Sequence, residues 1–161
     1  MEKKNTFIKA IQEHEKLIFK LASFYTDCKD DRDDLVQEII YSLWKSFETF
    51  KQRSSLATWI YRVAMNVSIF HLKQKKKRGQ SVSIDLQVLN FSDTAYDDYE
   101  EKLQVLQNLI KDLNLYDKGI LMLYLENKSH TEIAEIIGIS KSNVGTKLSR
   151  IKEKLRHQVS N

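Results

Sequence analysis

Proline is absent from the chain, glycine occurs four times and cysteine once. A sequence without proline has no obligatory helix breaker, and its apolar residues recur at helical rather than alternating spacing. Both observations predict an all-α protein. The single cysteine, Cys28, excludes an internal disulfide and a four-ligand zinc site built on cysteine, and fits a reducing compartment. Long apolar runs are missing as well. The opening stretch "MEKKNTFIKAIQEHEKLIFK" lacks the uninterrupted core of a signal peptide, and no later segment approaches the roughly 20 apolar residues of a membrane span. The expectation is a soluble, cytoplasmic protein with no direct membrane insertion.

What is present is charge, unevenly distributed. The 161 residues carry 26 Lys and Arg against 22 Asp and Glu, for +4 and a pI near 9.0, and 42% are hydrophobic, enough for one ordinary domain or two small ones. Residues 1–80 hold 16 basic and 10 acidic side chains, residues 81–101 hold six acids and no base, and residues 102–161 hold 10 and 6. Two basic blocks flank an acidic one, which predicts helical domains over 1–80 and 102–161 joined by an acidic linker over 81–101.

In the first block, Phe7, Ile8, Ile11, Leu17, Ile18 and Leu21 predict one amphipathic helix. Leu35, Ile39, Leu43, Phe47 and Phe50 predict a second, and Leu56, Trp59, Ile60, Val63, Val67 and Phe70 a third, with Ser54 or Ser55 as its cap. Beyond the linker, Leu103, Leu106, Leu109, Ile110 and Leu113 give a helix from near Lys102, followed by another over 118–125.

The C-terminal stretch "TEIAEIIGISKSNVGTKLSRIKEKL" has the spacing of a helix-turn-helix at Ala134, Gly138 and Val144. The small Ala134 admits the second helix, Gly138 can take the left-handed conformation of the turn, and Ile133, Ile137, Ile139, Val144 and Leu148 are expected to fill the wedge. Ser140 is placed to cap the second helix. Lys141, Ser142, Asn143, Thr146, Lys147 and Arg150 are then left outward, in the half of a recognition helix that meets base edges and phosphates. Packing alone would not require that basic outer face.

"DDRDDLVQE", residues 30–38, is an acidic cluster in a basic block. Asp30, Asp31 and Asp34 fit the Asp-Asp-x-x-Asp pattern that holds magnesium in prenyl-transferring enzymes, but such enzymes need a large helical cavity and a second acidic site, and an EF-hand would need a turn glycine. Asp31 or Asp33 as a helix N-cap is the plainer reading. It leaves Asp34, Gln37 and Glu38 unexplained, on a face away from Leu35, Ile39 and Leu43.

"DDLVQEIIYSLWKSFETF", then "SSLATWIYRVAMNVSIFHLKQKKKR", then the helix-turn-helix resemble the bacterial sigma-70 family of RNA polymerase sigma factors, in its small extracytoplasmic-function subgroup. The resemblance implies a sigma region 2 bundle and a sigma region 4 helix-turn-helix, with no catalytic chemistry and no cofactor. It implies that Asp34, Gln37 and Glu38, with Asp33 and Leu35 at the edge, dock on the clamp coiled coil of RNA polymerase core, while the flap is a further core contact. Arg53, Ser54, Ser55, Tyr61, Arg62, Asn66 and Lys73 would recognise and melt the minus-10 element, where strand separation needs cations and a pocket for an unstacked base. Lys75, Lys76, Lys77 and Arg78 would hold phosphates of the adjacent duplex, whereas Trp59 is expected to pack in the core. Asn143, Thr146, Lys147 and Arg150 would read the minus-35 element, with Thr131 and Ser142 on phosphates. An anti-sigma factor is an implied partner. Two departures from the family stand out: Gly145 lies inside the recognition helix, and the proline that often opens the first helix of the C-terminal domain is absent at "LNLYDKG". The competing reading is a helix-turn-helix regulator that does not engage core polymerase.

Overall fold

A computed structural model describes residues 1–79 and 96–160. The described residues are helical throughout, apart from turns and one 3-10 turn at Phe47–Thr49. The chain divides into two compact units, Met1–Val88 and Leu89–Asn161.

The first unit holds α1 (Glu2–Glu13), α2 (Glu15–Phe24), α3 (Lys29–Ser46) and α4 (Leu56–Lys77). The single stripe expected over residues 7–21 is therefore two helices. They part at His14, whose backbone (φ −116°, ψ 16°) leaves the helical region, so Phe7 and Ala10 are buried from one helix and Ile18 and Leu21 from the next. Ile8, expected in the core, is exposed. Helix α3 contributes Leu35, Ile39 and Leu43, each with 0% exposure. Ser55 caps α4, its Oγ accepting the Thr58 amide at 3.1 Å.

The buried face of α4 is Ile60, Tyr61, Ala64, Met65, Ser68, Ile69 and Leu72, rotated from the expected face. Residues 56–72 are apolar at nearly every turn, so periodicity alone does not select the inward side. Phe70, expected inside, is 62% exposed. The buried polar groups on this face are satisfied: Ser68 Oγ donates to the Ala64 carbonyl at 2.7 Å, and the hydroxyl of Tyr25, just after α2, donates to Met65 Sδ at 3.0 Å. Trp59 is half-buried against Phe50 and Phe47, with ring centroids 4.9 and 6.2 Å away, in keeping with core packing.

The second unit holds α5 (Tyr96–Lys111), α6 (Leu115–Leu125), α7 (His130–Ile137) and α8 (Lys141–Ser160). Helix α5 starts at Tyr96, ahead of the expected position near Lys102, so residues 96–101 are helical; the remainder of the stretch read as a linker, residues 81–95, lies outside the described residues. At "LNLYDKG" the missing proline is replaced by an asparagine cap, with Asn114 Oδ1 accepting the Asp117 amide at 2.8 Å. A capping box opens α7: Ser129 Oγ accepts the Glu132 amide, and Glu132 accepts the Ser129 amide. Gly138 ends α7 in the left-handed conformation (φ 85°, ψ 34°), and its amide and that of Ile139 both reach the Ala134 carbonyl. Ser140 Oγ then accepts the Asn143 amide at 3.0 Å to start α8. The wedge is filled by Ile133, Ile136, Val144, Leu148 and Ile151. Ile137 and Ile139, expected there, are only half-buried, because the helical phase of α7 turns Ile136 to the centre.

Candidate functional site

The acids of residues 30–38 sit at the start of α3, and the structure separates their roles. Neither Asp31 nor Asp33 caps the helix: the N-cap position is Cys28, which makes no side-chain cap bond, and Asp30 and Asp31 fall in the first turn, where their charge complements the helix dipole. Asp31 turns sideways to α4. Its Oδ2 lies 2.6 Å from Lys75 Nζ and its Oδ1 3.1 Å from His71 Nε2. Burial by itself would raise the Asp31 carboxyl, but the hydrogen bonds from Lys75 and His71 outweigh it and hold the group below the usual carboxylate range. The same pairing with Asp31 raises the Lys75 ammonium against the opposing effect of burial. An ammonium so close leaves Asp31 poorly suited to a magnesium ion.

Two helical turns on, Glu38 Oε2 approaches His71 Nδ1 at 3.4 Å. Asp31, Asp34, Glu38 and Tyr41 are three or four residues apart and so share one stripe of α3; facing them across a groove of about 730 Å³ are Phe70, His71, Gln74, Lys75 and Arg78 of α4, with Gln37 on the α3 side. Asp33, Asp34, Gln37 and Glu38 are exposed. Leu35, expected at the edge of this surface, is wholly buried. Tyr41, 62% exposed like Phe70, was missed in the sequence although it lies at i+3 from Glu38.

Around the corner of α4, Arg62, Asn66 and Lys73 are exposed on one face together with Phe70. Arg53 is exposed and Ser54 half-exposed in the loop ahead of the helix, and Ser55, also exposed, spends its hydroxyl on the cap. Tyr61 departs from this set. At 9% exposure it belongs to the core, because its position puts it one residue round the helix from Arg62. Helix α4 runs on to Lys77, so the basic run is its last turn, where cations complement the dipole; Lys76, Lys77 and Arg78 are exposed, while Lys75 is committed to Asp31.

In the second unit, Ser142, Asn143, Thr146 and Arg150 form an exposed polar face on the N-terminal half of α8, with Thr131 exposed at the start of α7. Lys147 does not join them. Its ammonium donates to Asp117 Oδ1 of α6 at 3.1 Å, with the two side chains 30% and 20% exposed, so it ties α6 to α8. Gly145 is half-buried over His130, and a Cβ built there would meet only His130 Nδ1 at 3.8 Å, an ordinary contact. Among the described residues, no helix is long and apolar enough to cross a membrane.

Comparison with known proteins places both units. Residues 10–78 match the family model of sigma-70 region 2, and residues 103–155 match sigma-70 region 4. The chain is 28% identical to the RNA polymerase sigma factor SigV of Bacillus subtilis, over 99% of this chain and 96% of that one. It is 24% identical to the ECF RNA polymerase sigma factor SigW of the same organism, over 80% of this chain and 75% of that one. Among solved structures, the sigma factor RpoE of Bartonella quintana, crystallised with the anti-sigma factor NepR, matches with a TM-score of 0.65 and 18% identity, over 96% of this chain and 97% of that one. With an acidic groove in a region 2 bundle and a polar face on a region 4 helix-turn-helix, the chain belongs to the sigma-70 family, as an extracytoplasmic-function sigma factor.

Proposed function

We propose that this chain binds RNA polymerase core in the cytoplasm and directs initiation at specific promoters, with no catalytic chemistry of its own. The observation that carries the reading is the exposed acidic and polar edge of α3, Asp34, Gln37 and Glu38, presented beside Tyr41 and Phe70. A stand-alone helix-turn-helix regulator would leave that edge without a partner. Residues 1–80 serve as the unit that docks on the clamp coiled coil and opens minus-10 DNA, residues 81–101 connect, and residues 102–161 meet the flap and read minus-35 DNA.

Within the first unit, Arg62, Asn66 and Lys73 form the strand-facing side of α4, and Arg53, Ser54 and Ser55 contribute from the loop before it. In the second, Asn143, Thr146 and Arg150 meet base edges and Thr131 and Ser142 meet phosphates. An anti-sigma factor that covers the docking and DNA-facing surfaces supplies the control. Its presence is supported by the solved relative held in such a complex.

The test is binding of the purified chain to polymerase core. Asp34→Lys and Glu38→Lys are each expected to cost on the order of 2 to 5 kcal/mol of affinity, the range for charge-assisted contacts in a partly desolvated interface, while leaving the melting temperature near wild type because both side chains are exposed. A folded wild type that fails to bind core would end this reading. Promoter-directed transcription with the reconstituted holoenzyme is the assay that follows a positive result.

A further inference from the structure

We infer that His71 is a positioning residue that sets, through its proton, how much of the acidic charge on α3 is offered to a cationic partner. The inference rests on the docking role proposed for that helix. Its basis is geometric: Nε2 of the ring faces Asp31 Oδ1 at 3.1 Å and Nδ1 faces Glu38 Oε2 at 3.4 Å. A neutral imidazole carries one N–H and directs a lone pair from its other nitrogen, so it serves one of these carboxylates and repels the second. Only the imidazolium suits both, bonded to Asp31 and at ion-pair distance from Glu38.

The surrounding charges decide which acid the proton controls. Asp31 already has Lys75 at 2.6 Å, and Lys75 in turn is 4.0 Å from Asp27 in the turn before α3. Helix α3 otherwise contributes Asp34 and Glu38 to the groove, α4 contributes Lys75 and Arg78, and α2 contributes no titratable side chain to its lining. With Asp27, four acids thus stand against two permanent cations, which leaves two net negative charges with a neutral His71 and one with the imidazolium. Glu38, whose side chain is 51% exposed where that of His71 is 14%, is the acid that changes state. The imidazolium draws it back across the seam to α4, and loss of the proton releases it outward. Docking on a cationic surface therefore strengthens when the ring gives up its proton.

The experiment is equilibrium binding of the full chain to RNA polymerase core between pH ~6 and ~8, the range in which imidazole titrates. Each variant is read as a ratio to wild type at the same pH, so that proton effects common to all the proteins cancel. Wild-type affinity is expected to fall about three- to fivefold toward the acid end, the span open to a part-exposed ion pair. Against wild type at the same pH, His71→Gln should bind equally at the alkaline end and about three- to fivefold tighter at the acid end, and His71→Lys, a permanent cation, equally at the acid end and about three- to fivefold weaker at the alkaline end.

Parallel profiles for wild type and His71→Gln, or a stronger wild type at acid pH, would overturn the inference. Melting temperatures establish that the variants fold. Should neither fold, calorimetry of wild-type docking in two buffers of different ionisation heat decides: proton release supports the inference, and proton uptake or no exchange overturns it. Failure of wild type to bind core at any pH sinks the docking role itself. Binding that Asp34→Lys abolishes, but that carries no slope assignable to His71, sinks only the part given to His71.

Discussion

The two candidate surfaces are built on different principles. The groove of the first unit is made by two helices whose side chains bond across the seam, with Asp31 and Glu38 of α3 held by His71 and Lys75 of α4. The face of the second unit comes from one helix. Its side chains bond only locally, as Thr146 Oγ1 does to the Ser142 carbonyl at 3.1 Å, and its aim is set by the apolar wedge beneath. Charged residues in the first unit are therefore coupled to one another, whereas the DNA-facing residues of the second depend on the buried residues that orient them.

Disturbing the wedge should have the largest effect. Leu148 is 2% exposed between α7 and α8, and Leu148→Ala is expected to destabilise the second unit by about 2 to 5 kcal/mol, as for other buried leucines. Melting followed by circular dichroism would read this. A cost below about 1 kcal/mol would mean that the helix-turn-helix does not rely on its buried side chains, and the contrast between the units would fail.

Next comes the coupling inside the groove. A double-mutant cycle of Asp31→Asn and Lys75→Met should give an interaction energy on the order of 1 kcal/mol, within the range for contacting charges and reduced because both side chains keep some solvent exposure. Its pH dependence has a definite sign. Folding lowers the Asp31 carboxyl, so its share of stability is fully present above the ordinary aspartate value near ~3.9 and is lost as pH falls further, through the lowered value. Acid unfolding of wild type should thus steepen below that point, and Asp31→Asn should remove the extra slope.

Smaller still is the difference between two cations of α8. Arg150→Ala should weaken promoter binding by about 1 kcal/mol and relax specificity at the base it meets, while Lys147→Ala should leave both nearly unchanged. Lys147 is already spent on Asp117. Equal losses for the two variants would show that DNA draws Lys147 away from its partner. The mildest change is Gly145→Ala, which should stabilise α8 by roughly 0.5 to 1 kcal/mol through helix propensity, since the added Cβ meets only an ordinary contact at 3.8 Å; a small rise in melting temperature checks it.

Much of this arrangement was legible in the residues. The small-residue spacing at Ala134, Gly138 and Val144 marks the helix-turn-helix because each position answers a steric demand, and Gly138 takes the left-handed conformation that the turn requires. Ser54 or Ser55, and Ser140, were recognisable as caps because capping is local, and Ser55 and Ser140 take that role. The exposed side of α3 followed from its strict inward stripe of Leu35, Ile39 and Leu43.

What sequence did not reveal is of two kinds. One is phase: apolar residues nearly fill residues 56–72, so Phe70 and Tyr61 were assigned to each other's sides, and at His14 an apolar stripe continues through a break made without proline or glycine. The other is distance along the chain. Asp31 meets His71 across 40 residues and Lys147 meets Asp117 across 30, and periodicity carries no information about which partner a charged side chain finds on a neighbouring helix.

The bare N-cap at Cys28 has a consequence for dynamics. With no side chain covering the first amides of α3, that end is expected to open first, and the bonds from Asp31 to Lys75 and His71 to limit the opening. Backbone amides of the first turn should exchange with solvent quickly and faster still in Lys75→Met, whereas those around Ile39 should exchange only when the whole bundle unfolds. The acids of α3 thus lie along a gradient from a frayed turn to a rigid rod, and a partner that docks there would register first as slowed exchange at the frayed end.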